Sequence, residues 1–260
     1  MNNLFLSIKY IYCIFQFGII RIVLKHNRSS NFVGTLNKSL IIAPHPDDEV
    51  IGLGGYLLKT IQQGGKVQLI YLTDGDGSGV WPDREEIKHQ RINLSDTVCR
   101  QLEIESVVRL HLPDGIVPRK GEDGFKEIVD QLTQLIDELK PDTVFATSAT
   151  DYWPYDHVAC SEMAVAAVQQ SCTKPALWFY WVWAWYHLRL WQLHKLNFHN
   201  LYKVDISDQL NEKMKLMDMY LKPTTPFGKP WSGVLPKAML YPFSKPIEIV
   251  EKYENLTQRR

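Results

Sequence analysis

The stretch IIAPHPDDEVIGLGG, Ile41–Gly55, decides the fold. An apolar run stops at Ala43, a histidine and three consecutive acids follow, and a glycine-spaced apolar pattern resumes at Val50. A strand that ends in polar residues and passes directly into a helix reads as the start of a βαβ unit. Taken alone, the acids of HPDDE suit a helix start, because Asp and Glu in the first turn complement the helix dipole and proline is tolerated there. They equally suit half of a metal site. The rest of the chain separates the two readings.

Working outward, short β-rich runs alternate with longer amphipathic ones. SLIIAP (Ser39 to Pro44), VQLIYLTD (Val67 to Asp74), VVRLHLPDG (Val107 to Gly115) and DTVFATSA (Asp142 to Ala149) read as strands. Helices are expected near Val50 to Gln63, Arg84 to Leu102 and Gly124 to Leu139, with another from Val158 onward. Strand alternating with helix predicts an α/β fold, a Rossmann-like three-layer sandwich with a mostly parallel sheet covered on both faces. The aromatic run ALWFYWVWAWYHLRLW reads as a hydrophobic edge strand and its neighbour, with a lipid contact as the rival reading. LYKVDISDQLNEKMKLMDMYL gives a strand and then a helix capped by Ser207 or Asp208. From Lys222 the chain is rich in Pro, Gly and aromatics and reads as an irregular surface wrap.

Hydrophobic residues at 45% and charged residues at 22% are globular values. A net charge of zero gives no field to recruit nucleic acid. The four cysteines, Cys13, Cys99, Cys160 and Cys172, form no C-x-x-C pair, which argues against a disulfide framework or a cysteine zinc knuckle. A reducing, cytoplasmic compartment is the expectation. The amino end, LFLSIKYIYCIFQFGIIRIVLK, is apolar but interrupted by Lys9, Gln16 and Arg21, and it lacks a small-residue cleavage site. It reads either as a helix at the inner membrane surface, touching through residues 4–25, or as a helix packed on the domain.

In an open parallel sheet the loops at the carboxyl ends of the strands converge on one edge, where ligands sit. His45, Asp47 and Asp48 follow the first strand, Asp74 ends the second, Asp114 the third, and Asp156 and His157 follow the fourth. A catalytic zinc takes three nitrogen or oxygen ligands and keeps one position open for water. His45 and Asp48 can bind one ion from a single turn, and His157 can complete the set. A second carboxylate beside the ligand one suits a base, which gives adjacent Asp47 and Asp48 separate tasks. The same donors also suit ferrous iron.

With these residues in view, the sequence resembles the PIG-L or LmbE type of zinc de-N-acetylase. The hallmark A-H-P-D-D-E stands here as APHPDDE, with one proline between alanine and histidine. TDG, an Arg91-to-Leu102 segment spaced like the family's R-x(10)-L, LPDG, the Asp156-His157 pair and VDIS before a lysine-bearing helix are further matches, covering roughly Leu40 to Leu221. The resemblance implies a deacetylase domain over residues 38–225; by composition an apolar helix in residues 1–30 precedes it and an extension, 226–260, is expected to pack on it. It implies zinc held by His45, Asp48 and His157, with Asp47 as general base. The implied substrate is an N-acetylated amino sugar, free, nucleotide-linked or lipid-linked, whose acetyl carbonyl the zinc polarises while it activates water.

One departure matters: where the family usually reads H-x-D-H, with its first histidine holding the oxyanion, this chain reads PYDH, with Pro154 in that place. Tyr155 or Tyr152 could donate the missing hydrogen bond, or His89, His111 or His187 could arrive from elsewhere. Asp156 is a candidate for orienting a neighbour. Arg91, Asp74 and Asp114 are candidates for substrate contact, although Asp before Gly also suits turns. His111 reads as a core or near-core histidine and His89 as an exposed one. Two other function classes compete. A catalytically degenerate relative that binds metal or sugar would explain Pro154. A nucleotide-binding Rossmann-like module would explain the sheet, but GLGGYL lies within the helix and not in the strand-to-helix turn where phosphate-binding glycines sit.

Overall fold

The structure, a computed structural model, describes residues 3–26, Phe32 and residues 37–254. The ends of the expected 1–30 helix and of the 226–260 extension therefore lie outside the described residues. In chain order the elements are α1 (Asn3–His26), β1 (Lys38–Ala43), α2 (Asp48–Gln62), β2 (Lys66–Thr73), α3 (Arg84–Gln101), β3 (Ser106–Leu112), α4 (Phe125–Leu139), β4 (Thr143–Thr147), α5 (Tyr155–Gln170), β5 (Ala176–Tyr180), α6 (Ala184–His187), β6 (Leu201–Asp205), α7 (Leu210–Leu221), α8 (Lys237–Leu240) and β7 (Ile247–Lys252).

One seven-stranded sheet runs in the order β3-β2-β1-β4-β5-β7-β6. The first five strands are parallel, and β7 pairs antiparallel with both β5 and β6. Alternate side chains feed two cores. Ile41 and Ala43 of β1, with Leu69 and Tyr71 of β2, pack with α2, α3 and α7 residues such as Leu53, Val98 and Leu216. Leu40, Ile42, Ile70 and Leu72 point the other way, into a core with Leu132 of α4 and Met163 of α5. Both faces are buried, which is why these strands read as nearly continuous apolar runs. The predicted Rossmann-like α/β fold is present.

The glycines of α2 have specific tasks. A Cβ on Gly52 would lie 2.4 Å from the Tyr180 ring, and one on Gly55 would lie 2.5 Å from Ile206. The helix can sit this close to β5 and to the chain after β6 only with glycine there. On the same helix the Gly55 and Tyr56 N–H groups donate to Glu248 of β7 at 2.7 and 2.9 Å, and Glu248 pairs with fully buried Lys213 at 2.7 Å.

Four local expectations change. The aromatic segment does not form an edge strand with a neighbour: β5 is interior, and the residues after it form α6 and a 3-10 turn, Leu190–Lys195. The reason is β7. It comes from the segment expected to be an irregular wrap and inserts between β5 and β6. The N-cap of α7 is Gln209, not Ser207 or Asp208. His111 is turned outward, its side chain 54% exposed, because the β2–β3 register shifts between Tyr71 and Thr73 and His111 takes φ 53°. An extra residue in an edge strand aims a side chain away from the face it would otherwise serve.

Candidate active site

The sheet order reverses between β1 and β4, so the loops after these strands face each other across a crevice. Chain segments from Pro44 to Asp48 and from Ser148 to His157 meet there. His45 Nδ1 lies 3.1 Å from Asp48 Oδ2, and His157 Nε2 lies 3.2 Å from the same oxygen. The donor atoms of His45, Asp48 and His157 all fall within 4.8 Å of one another, and all three side chains are buried. The three residues expected to hold the metal are thus together.

Opposed charges set their protonation. Burial lowers the His157 pKa, but Asp48 and Asp151 more than offset it and raise it to about 9. Burial acts in the same direction on His45, where hydrogen bonds to Asp114, Asp156 and Asp48 win and hold it well above the usual range. Asp48 is resisted by burial but driven well below the ordinary carboxylate value by the two histidines. Two histidines and an ionised aspartate are the donors a divalent ion with an open position takes. The buried Nε2 of His157 makes no aligned hydrogen bond, although Asp48 Oδ2 lies 3.2 Å away. Donor atoms that crowd together without bonding one another well are placed to share an ion, so the cluster fits a metal ion.

A second acidic grouping, His45 with Asp114 and Asp156, shares the same histidine. Asp156 is wholly buried and already accepts the Gly115 and Val117 N–H groups at 2.6 and 3.1 Å, while its Oδ2 lies 3.2 Å from His45 Nε2. Asp114 faces His45 Nε2 at 3.2 Å and accepts the Gly77 N–H at 2.7 Å. Both carboxylates therefore grip the far side of the His45 ring, as outer partners of a ligating histidine do. His157 has its own such partner in Asp151. The Asp151 carboxylate lies 3.1 Å from His157 Nδ1 and accepts the N–H groups of Val182, Trp183 and Ala184 at the start of α6. Sequence reasoning missed Asp151. Its only signal was an acid six residues before His157 at a strand end.

Asp47 sits in a strained backbone conformation, φ 125°, at the entry to α2. Non-glycine residues hold such angles only when their surroundings impose them, and they collect at functional sites. Here its N–H donates to Glu49 Oε2 at 3.0 Å, and Glu49 is held by the Tyr220 hydroxyl of α7 at 2.6 Å. Burial raises the Asp47 pKa to about 7 against the opposing pull of Arg91, with Asp48 and Glu49 adding to the rise. Arg91 is buried: its guanidinium lies 3.1 Å from the Asp47 carboxylate and donates to the carbonyls of Gly75 and Pro46.

A cavity of about 440 Å³ opens over this group and is lined by His45, Asp47, Asp48, Arg91 and Asp114 on its polar side. Trp153, Tyr155, Trp183, Val234 and Met239 are among its other walls. Asp74 does not line it; it is buried and bound by His111 at 2.7 Å. At Pro154 none of the three candidate imidazoles arrives: His89, His111 and His187 do not line the cavity. The Tyr155 ring does, while its hydroxyl donates to Glu122 at 2.7 Å, and the Tyr152 hydroxyl donates to the His187 carbonyl.

Sheet order and strand-end cluster together define a Rossmann-like α/β protein with a metal-site geometry. The chain matches the PIG-L family model, described as GlcNAc-PI de-N-acetylase, over residues 40–168. It is 25% identical over 137 residues to a probable N-acetyl-alpha-D-glucosaminyl L-malate deacetylase 2 of Bacillus subtilis, covering 51% of this chain and 61% of the relative. A 1D-myo-inositol 2-acetamido-2-deoxy-alpha-D-glucopyranoside deacetylase of Mycobacteroides abscessus is 26% identical over 173 residues, covering 56% of this chain and 60% of the relative. The match thus spans about three fifths of each curated relative. Among solved structures, the N,N'-diacetylchitobiose deacetylase of Pyrococcus horikoshii superposes with TM-score 0.57 at 25% identity, covering 77% of this chain and 75% of that one.

Proposed function

We propose that the protein is a metal-dependent hydrolase that removes the acetyl group from an N-acetylated amino sugar. The observation that carries this reading is the convergence of His45, Asp48 and His157 within 4.8 Å, with Asp47 beside them on the cavity wall. The relatives' names, all deacetylases of acetamido sugars, support it. His45, Asp48 and His157 would hold the ion, zinc in the first instance, which supplies a polarised carbonyl and an acidified water.

The remaining chemistry belongs to the chain. Asp47, with a pKa near neutrality, accepts the proton of the attacking water and returns it to the leaving nitrogen. Arg91 fixes the Asp47 carboxylate, Asp151 and Asp156 fix the two histidine rings, and Asp114 lies at the polar end of the cavity where a sugar hydroxyl can reach it. Trp153, Tyr155 and Trp183 exclude water from one side.

The test is acetate release by the metal-loaded full chain from a panel of N-acetylhexosamine conjugates. Turnover that disappears with a chelator and in Asp47→Asn supports the reading. Pro154 favours a second one, a relative that holds metal or sugar without turning it over; bound metal near one per chain with no acetate from any conjugate would replace the first reading with it.

A further inference from the structure

α1 is largely apolar, interrupted by Lys9, Gln16, Arg21 and Lys25, and among the described residues the domain covers one side of it. Cys13, Phe17, Ile20 and Leu24 are buried, and Phe17 packs edge-on against Trp185 at 5.2 Å and Tyr241 at 6.1 Å. The opposite ridge, Ile8, Ile11, Phe15 and Ile22 at helical spacing, is 57, 65, 59 and 60% exposed. The Leu190 N–H donates to the Tyr12 hydroxyl oxygen, which brings the Leu190–Lys195 turn against the same helix and with it Trp191, itself 65% exposed. Contiguous exposed apolar surface of this kind marks a contact face.

The charge around the ridge says what it contacts. None of the 29 acids lies in residues 1–46, 163–204 or 219–247, the segments that supply α1, α6, the Trp191 turn and α8, whereas 13 of the 29 lysines and arginines do. The chain as a whole is neutral, so these segments taken together carry a positive net charge and the remaining segments a negative one. Arg21 and Lys25 are exposed on α1 itself. Lys9 lies over the Tyr186 ring at 4.7 Å, Arg189 over Trp191 at 5.1 Å and Lys245 over Tyr241 at 4.1 Å. An apolar ridge flanked by cations and interfacial aromatics, with no acid among the segments that build it, matches a lipid surface bearing negative headgroups. A second copy would set cation against cation.

We propose that this face docks on an anionic phospholipid bilayer, with α1 in the plane of the interface and Ile8, Ile11, Phe15, Ile22 and Trp191 entering the acyl boundary. The stretch Leu6–Lys25 is long and apolar enough to cross a membrane by length and composition, but a helix held along the domain by its other face lies in the interface instead. Met239 of α8 and Trp183, next to α6, line the cavity, so the docked face adjoins the candidate site. An amino sugar carried on a lipid would then reach the cavity from the bilayer, a consequence that rests on the deacetylase reading, whereas the docking does not.

Flotation of the full chain with phosphatidylcholine vesicles, with and without phosphatidylglycerol, tests it. The expected result is binding to the anionic vesicles that weakens as salt rises, and a loss of roughly tenfold or more in Ile11→Asp/Phe15→Asp, whose side chains leave the acyl boundary. Arg21→Glu/Lys25→Glu, which removes no packing, should narrow the preference for anionic over neutral vesicles and keeps the test decisive if the first variant folds poorly. No flotation, or flotation that neither variant changes, overturns the proposal. So does a dimer by light scattering that Ile11→Asp/Phe15→Asp dissolves, because the ridge then belongs to a second copy. Binding is read without turnover, so a failed acetate assay and a failed flotation are separate results.

Discussion

The Arg91 guanidinium lies 3.1 Å from the Asp47 carboxylate, with both side chains buried beside the His45 cluster. An arginine on the first turns of α3 thereby reaches the residue with the most strained backbone at the site. Burial raises the Asp47 pKa and Arg91 opposes that rise. In Arg91→Met the opposing charge is gone, so Asp47 should stay protonated to higher pH. The acid limb of the pH–rate profile should move upward, and Arg91→Lys should move it less. Asp47→Asn should lower kcat by about a hundredfold to ten-thousandfold, the range general-base catalysis contributes, while leaving metal content intact.

Asp151→Asn should weaken metal binding by about tenfold to a hundredfold, as loss of an outer partner of a ligating histidine does. Competition with a chromophoric chelator measures this. His157→Gln should abolish stoichiometric metal. An unchanged affinity in Asp151→Asn would show that the His157 ring is oriented by other contacts.

Metal removal should make stability respond to pH with a defined sign. The folded His157 pKa, about 9, stands above its ordinary value of 6.5. Its contribution is therefore fully present below about 6.5 and is lost as pH rises through about 9. Over the same range a metal ion binds more tightly, because fewer protons compete for the histidines. The melting temperature of chelator-treated protein should fall between these limits, and the gap to the zinc-loaded protein should widen. Calorimetry on both forms decides it.

Pro154→His should raise kcat for acetate release, by up to the roughly hundredfold that one oxyanion donor supplies. Tyr155→Phe should leave kcat unchanged, because the hydroxyl is committed to Glu122, whereas Tyr155→Ala should raise KM by removing a cavity wall. A large kcat loss in Tyr155→Phe would reassign that hydroxyl to the reaction.

Gly52→Ala should destabilise the fold by about 1–3 kcal/mol, the usual cost of overpacking, because its Cβ would meet the Tyr180 ring at 2.4 Å. Thermal melting measures it. The shift of α2 that relieves the clash would also displace Asp48 at its first turn.

Much of this was legible in the amino-acid order. The alternation of apolar runs placed β1 to β4 and their helices to within three residues at each end, because a parallel sheet buried on both faces requires such runs. Polar residues at the strand ends named His45, Asp48 and His157 as one group. The aromatic segment was misread because a strand's place in a sheet depends on which chain pairs with it, and β7 arrives some seventy residues later. His111 was misread for a local reason with a distant cause, a register shift against β2 that no periodicity reveals.

By itself the sequence determined the fold class, the edge of the sheet where chemistry sits, and the donors able to hold an ion there, since all three follow from local periodicity and strand-end composition. Only tertiary structure decided which carboxylate serves which histidine, that Arg91 answers to Asp47, and that Glu248 of the last strand ties α2 to Lys213. The physical reason is that a buried charge finds its partner through space, across chain separations that no local pattern encodes.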